Sequence, residues 1–206
     1  MILKMLSCVF FLFLSTHLLS QNRVFEDLDG NRISKEDFFN IIHNSGNLYA
    51  YKALHDTVIT FLYAGSRDFE GKLLEGDFQA LKKLYHSNEK GFPIIIQYFP
   101  GVDDCSQHFI SRRQEMIRFL KDKDRKIAKG KKNLFSVYKS NKGIEILSEQ
   151  LKWRPDKSNL IEHLFFPYHF PCGSYVVVNE KGSYRGYFGE YGANQILEDY
   201  KILKLD

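Results

Sequence analysis

A chain of 206 residues with 44% apolar and 15% aromatic content can bury a sizeable core and suits one domain with extensions. Its 29 basic residues are interleaved with 25 acidic ones, and the resulting net charge of +4 excludes a dedicated nucleic-acid face. The densest basic run, KDKDRKIAKGKK over residues 121–132, is broken by Asp122 and Asp124 and reads as a solvated helix end or loop.

The first residues, MILKMLSCVFFLFLSTHLLSQN, carry Lys4 as the lone charge, then a mostly apolar run over residues 5–14, then small and polar residues at Ser15, Ser20 and Gln21. That layout predicts a secretory signal over residues 1–20. The apolar run is shorter than the roughly 20 residues that span a bilayer, so we expect an exported protein, periplasmic or extracellular, with no stable membrane span. Most of the apolar run, residues 9–14, follows Cys8, where a lipoprotein box needs it to precede the cysteine, which argues against lipidation. Of the three cysteines, the mature chain then keeps Cys105 and Cys172. In an oxidising compartment two such thiols pair, serve redox chemistry or lie buried apart.

Residues 24–33, VFEDLDGNRI, place Asp-Gly between apolar flanks and predict a hairpin. Ser34 caps the following helix, with Asp37 three residues on and Phe38, Ile41 and Ile42 on one face, and Gly46 ends it. Residues 47–51 and 57–63, rich in aromatic and β-branched side chains, predict two strands around the turn at His55-Asp56. Asp77 is expected to cap a helix carrying Phe78, Leu81, Leu84 and Tyr85. Pro93 opens the run Ile94, Ile95, Ile96, Tyr98 and Phe99. Its continuous apolarity predicts a central strand covered on both faces. A long helix over residues 106–126, a strand over 134–138 and a mostly helical stretch over 143–166, interrupted at Arg154-Pro155, should follow. Strands over 174–178 and 183–188, joined by a turn at Gly182, and a helix over 193–203 complete the chain. From Pro93 the order is β, α, β, α, β, β, α, which implies parallel pairing with right-handed crossovers and a closing antiparallel hairpin at the edge.

That order, with an apolar strand leading to a cysteine at a helix start and a late VVVNEKG turn, resembles the thioredoxin fold. The segments DLDGNRISKEDF, FPIIIQYFPG and GSYVVVNEKGSYRGYFGEYGANQILEDY are similar to exported thioredoxin-like thiol-disulfide proteins. The resemblance implies an α/β, thioredoxin-like fold. Its central mixed sheet would be flanked by helices, with a signal over residues 1–20, an N-terminal β/α extension over 21–91 and a core over 92–206. The family's Cys-x-x-Cys pair is degenerate here: Asp103 stands about where its first cysteine would be and Ser106 where its second would be, with Cys105 between them. Gly173 falls at the position of the family's cis-proline, with Pro171 and Cys172 just upstream. In that fold the helix-start loop and the loop before the late strand lie against each other, so the resemblance implies that Cys105 and Cys172 meet and can form a disulfide. Such a bond needs Cα atoms within roughly 7 Å.

Thiol chemistry requires a thiolate, which a helix start and an imidazolium favour and carboxylates oppose. Cys105 has His108 one helical turn on, and Asp103 and Asp104 beside it. The functional expectation is an oxidoreductase in thiol-disulfide exchange with other exported proteins. Cys105 would attack or be attacked, Cys172 would supply the second sulfur, and His108 would tune the thiolate, with no cofactor implied. The alternative is a non-catalytic binding or assembly module of the same fold that has lost the dithiol, in which the cysteines are structural. His163 and His169 read as surface or packed residues, and Asp103, Asp104, Cys105 and His108 make a poor metal set. YFPGVDDC is also similar to the peroxiredoxin loop, but Val102 stands where a hydroxyl is required and Pro100 lies too close to Cys105.

Overall fold

The computed structural model describes residues 22–85, 91–103, 105–107, 112–129 and 133–206. The expected signal segment, Asp104 and His108 lie outside the described residues. Ten strands and six α-helices are described, arranged as a mixed α/β structure with two mixed sheets.

The first sheet has strand order β2-β1-β4-β3. Strands β1 (Asn22–Glu26) and β2 (Arg32–Ile33) form the antiparallel hairpin expected around Asp-Gly, and the Asp27 carboxylate accepts the backbone N–H groups of Asp29 and Asn31 to close the turn. Helix α1 (Lys35–Ser45) starts at Ser34, whose hydroxyl accepts the Asp37 N–H, and ends at Gly46 in the left-handed region at φ 66°. Strands β3 (Leu48–Leu54) and β4 (Thr57–Tyr63) pair antiparallel, and β1 pairs parallel with β4. In β4 buried and half-buried residues alternate, and α1 lays Phe38 onto Phe25 and Leu62 to make a small core.

The second sheet has order β5-β10-β9-β6-β7-β8. Its centre is β6 (Ile94–Phe99), paired parallel with β7 (Asn133–Tyr138) and antiparallel with β9 (Ser174–Val178). Ile94, Ile96 and Tyr98 face one side, where α2 (Glu75–Tyr85) contributes Phe78 and Leu81, and α5 (Leu160–Phe165) contributes Ile161 and Phe165. Ile95 faces the other side, against Ile127 of α3 (Arg113–Ala128) and Ile196 and Leu203 of α6 (Ala193–Leu205). Coverage on both faces accounts for the unbroken apolar run. The short α4 (Glu145–Gln150) packs Leu147 against Ile117 of α3, and the two-residue β8 (Arg154–Pro155) interrupts the helical stretch where proline was expected to do so. Among the described residues no helix is long and apolar enough to cross a membrane.

Three details depart from expectation. The hairpin of β9 with β10 (Ser183–Phe188) does not end the sheet, because β5 (Asp68–Lys72) pairs antiparallel with β10. No apolar alternation announces DFEGK. It is an edge strand held by pairing, with the Phe69 ring lying over Gly186. Helix α2 starts at Glu75, since the Phe78 N–H already bonds the Leu74 carbonyl, so Asp77 sits inside the first turn rather than at the cap. Helix is described at residues 105–107 and again over α3, which runs to Ala128. The first sheet meets the second unit through residues 168–170. His169 exchanges both backbone hydrogen bonds with Tyr51 of β3, and the rings of Tyr168 and Phe170 meet Phe61 and Tyr63 of β4 edge-on.

Candidate functional site

The C-terminal end of β6 opens into a Pro-Gly turn and then a helical start. Asp103 and Ser106 cap that start reciprocally: the Asp103 carboxylate accepts the Ser106 N–H at 2.6 Å, and the Ser106 hydroxyl accepts the Asp103 N–H at 2.7 Å. Cys105 is thereby placed in the first turn, half-buried. On the neighbouring strand, the segment leading into β9 turns sharply through Cys172 at φ 67° and Gly173 at φ 89°. The left-handed region is costly for a residue with a Cβ, and at Gly173 the cost would be compounded, since a Cβ there would meet the Tyr98 carbonyl oxygen at 2.7 Å. Glycine therefore lets the loop press onto β6. The Cys172 N–H is held by the second Asp103 carboxylate oxygen at 3.0 Å.

These two local structures bring Cys105 and Cys172 together. Their Cα atoms are 5.5 Å apart and they form a disulfide across 67 residues of chain. Both members are half-buried. His108 lies outside the described residues, and the structure describes no third member for the pair. His163 is exposed on α5, whereas His169 is buried and its ring nitrogen lies 3.1 Å from Glu162. Among the described residues no group of three or more metal-ligating side chains comes together.

Asp103 has a larger part than its sequence position alone suggested. It accepts hydrogen bonds from the Ser106 and Cys172 backbones, and it lines a small pocket with Tyr51 of the first sheet. Burial, with the Asp103 carboxylate as the second cause, holds the Tyr51 phenol well above its ordinary range. One carboxylate thus joins both cysteine segments and faces the first sheet. The reciprocal Asp-x-x-Ser pattern was the readable signal for the cap, but nothing in sequence spacing pairs Asp103 with Tyr51 or Cys172. Behind the same loop, Glu162 accepts from Lys139 at 2.6 Å and lies against His169. Burial pushes its carboxyl up, and the bonds from His169 and Lys139 outweigh that and bring it below its usual value.

A cavity of about 180 Å³ lies beside the disulfide, on the α3 side of the second sheet, with Cys172 in its wall. Phe99, Met116, Leu120, Leu147 and Trp153 supply apolar walls. At its inner side Gln97 donates to Asp124 at 2.7 Å and to Ser136 at 3.2 Å, and accepts from Tyr191 at 3.1 Å. The Lys123 ammonium sits 4.3 Å from the Tyr191 ring centre, and burial lowers its pKa to about 8. The chain matches no protein-family model, no curated protein and no solved structure.

Proposed function

We propose that this chain is an exported, thioredoxin-like protein in thiol-disulfide exchange with other exported proteins, using Cys105 with Cys172. The observation that carries the reading is the disulfide between two half-buried cysteines that joins a helix start to the loop before an inner strand. From Pro93 the order is β6, α3, β7, α4, β8, α5, β9, β10, α6, which keeps the expected alternation apart from the two-residue β8 and supports the fold assignment. So does the parallel β6–β7 pair, beside which β9 and β10 are added antiparallel.

In the exchange, a partner thiolate bonds to the Cys105 sulfur. The Cys105–Cys172 bond breaks, and its electron pair leaves on the Cys172 sulfur, which takes a proton from water. A second partner thiolate then displaces Cys105 from the mixed disulfide. The partner dithiol is oxidised to a disulfide and the protein disulfide is reduced to two thiols; the reverse sequence oxidises the protein. Asp103 acts on the balance. Its carboxylate, bonded to the Cys172 N–H, disfavours a thiolate forming beside it and so favours retention of the disulfide. An imidazolium at His108, three residues on in sequence, would act in the opposite direction.

A second reading, of a non-catalytic module, draws support from Asp103 standing where a thioredoxin-like protein carries a cysteine. Here the disulfide would staple two segments and the fold would serve binding or assembly. Thiol counting on the purified protein, with and without reductant, and insulin reduction by wild type and Cys105→Ser separate the two. Exchange predicts two thiols released by mild reductant and activity lost in the variant; equal activity in the variant sinks the redox reading.

A further inference from the structure

We propose that the cavity beside the disulfide holds a compact aromatic aldehyde, which condenses reversibly with the side-chain amine of Lys123. The inference stands apart from the thiol reading, since it needs neither sulfur. Phe99, Met116, Leu120 and Trp153 give the cavity apolar walls, which suit a flat, polarisable ring. Its volume of about 180 Å³ compares with roughly 150 Å³ for an engineered apolar cavity that takes up benzene, so one substituted ring is the size it holds.

The amine supplies the chemistry. Lys123 of α3 lines the same cavity, and its ammonium sits 4.3 Å from the centre of the Tyr191 ring, which lines it too. Among the described residues no carboxylate closes a salt bridge on Lys123, and its nitrogen is not one of the partnerless polar atoms sealed from solvent. It is therefore an unpaired amine that a ligand can reach. Gln97, by contrast, has its donor and acceptor functions engaged by Asp124, Ser136 and Tyr191 and asks nothing of a ligand. Burial lowers the Lys123 pKa to about 8, against the upward pull of Asp124 and Glu190. At pH 7 its neutral, nucleophilic form is then roughly a hundredfold more abundant than in an ordinary lysine.

An aldehyde is the electrophile that a lone amine captures reversibly with no leaving group to activate. The Lys123 nitrogen bonds to the aldehyde carbon, the carbonyl electron pair moves to oxygen, and a proton passes from nitrogen to that oxygen. A second proton, from water, lets the hydroxyl leave as water while the nitrogen lone pair forms the C=N bond. The product is a protonated imine and one water, with nothing oxidised or reduced. Its cation keeps the Tyr191 ring face, with Asp124 and Glu190 in the same wall.

The test incubates the intact, oxidised protein at pH 7 with benzaldehyde and cyanoborohydride, which reduces the imine to a stable benzylamine, and maps the labelled lysines by peptide mass spectrometry. Lys123 is expected to be labelled at least tenfold faster than the exposed Lys201. Its rate should saturate with benzaldehyde and fall with benzyl alcohol, which has the ring but cannot condense. Leu120→Phe, which narrows the cavity, should slow labelling of Lys123 at least tenfold and leave Lys201 unchanged; Met116→Phe serves if the first variant does not fold. The ratio of Lys123 to Lys201 labelling should be larger for benzaldehyde than for acetaldehyde. Lys123 labelled no faster than Lys201 overturns the role of the amine. Labelling that does not saturate, or that persists undiminished with benzyl alcohol or in a folded, narrowed variant, overturns the cavity as the site. A ratio as large for acetaldehyde overturns the aromatic class.

Discussion

The two sheets solve the same burial problem differently. Strand β6 lies between neighbours on both edges and helices on both faces, and its residues from Ile94 to Tyr98 are all buried. Strand β4 is also flanked on both edges, but its residues alternate between buried and half-buried, and its core is built from a single helix. The first sheet therefore draws its order partly from outside, through the residue 168–170 segment that pairs with Tyr51 and ends at Cys172. A half-covered sheet docked on a strap that carries a disulfide cysteine should share that disulfide's fate.

The largest effect should come from the centre. Ile96→Ala in β6 is expected to cost about 4 kcal/mol of unfolding free energy, since Ile96 is wholly buried among α2, α5 and the adjoining strands. Val58→Ala in β4 should cost about half that. Urea unfolding of both variants measures the contrast, and equal losses would mean that the first sheet is as tightly integrated as the second.

Next in size is the disulfide. Reduction, or Cys105→Ser with Cys172→Ser, opens a closure across 67 residues and is expected to cost about 3 kcal/mol. The distribution of that loss matters more than its size. Hydrogen exchange should rise first in β3 and β4, where Tyr51 depends on the 168–170 strap and on Asp103, while β6 and β9 keep their protection. Uniform loss of protection would show that the two units do not respond separately. Asp103→Asn keeps an acceptor for a backbone N–H but removes the charge, and should raise the reduction potential of the pair by about 30 mV, read in a glutathione redox titration.

The strands and helices of both units were legible because their signals are local. Ser34 with Asp37 and Gly46 marked α1, and the unbroken Ile94 to Ile96 run marked a strand with two covered faces. Strand β5 was not legible, because DFEGK owes its conformation to β10 and to Phe69 lying over Gly186. At the site, the meeting of Cys105 and Cys172 followed from a fold-level resemblance, whereas the bond from Cys172 to Asp103 and the approach of Tyr51 to Asp103 bring together segments that no spacing relates. The cavity was hidden for the same reason: Trp153, Gln97 and Lys123 come from three distant elements. Ser34→Ala, a purely local change, should cost about 1 kcal/mol and leave the disulfide's potential unaltered.

The smallest expected effect tests the tightly covered sheet from its polar side. Asp124 on α3 faces Gln97 of β6, and burial raises its carboxyl above the ordinary 3.8, against the opposing pull of the Gln97 bond and Lys123. The sign follows from linkage. A carboxyl whose pKa is higher folded than unfolded is penalised when ionised, so the penalty is absent below the unfolded value and complete once pH exceeds the folded one. Asp124→Asn cannot ionise and keeps an oxygen for the Gln97 amide. Its melting temperature should therefore exceed that of wild type at pH 7, and the two should converge as pH falls towards 3.8. A variant less stable at pH 7 would instead mean that the carboxylate's attraction to Lys123 outweighs the cost of burying it, and that the covered face tolerates charge as readily as the half-covered one.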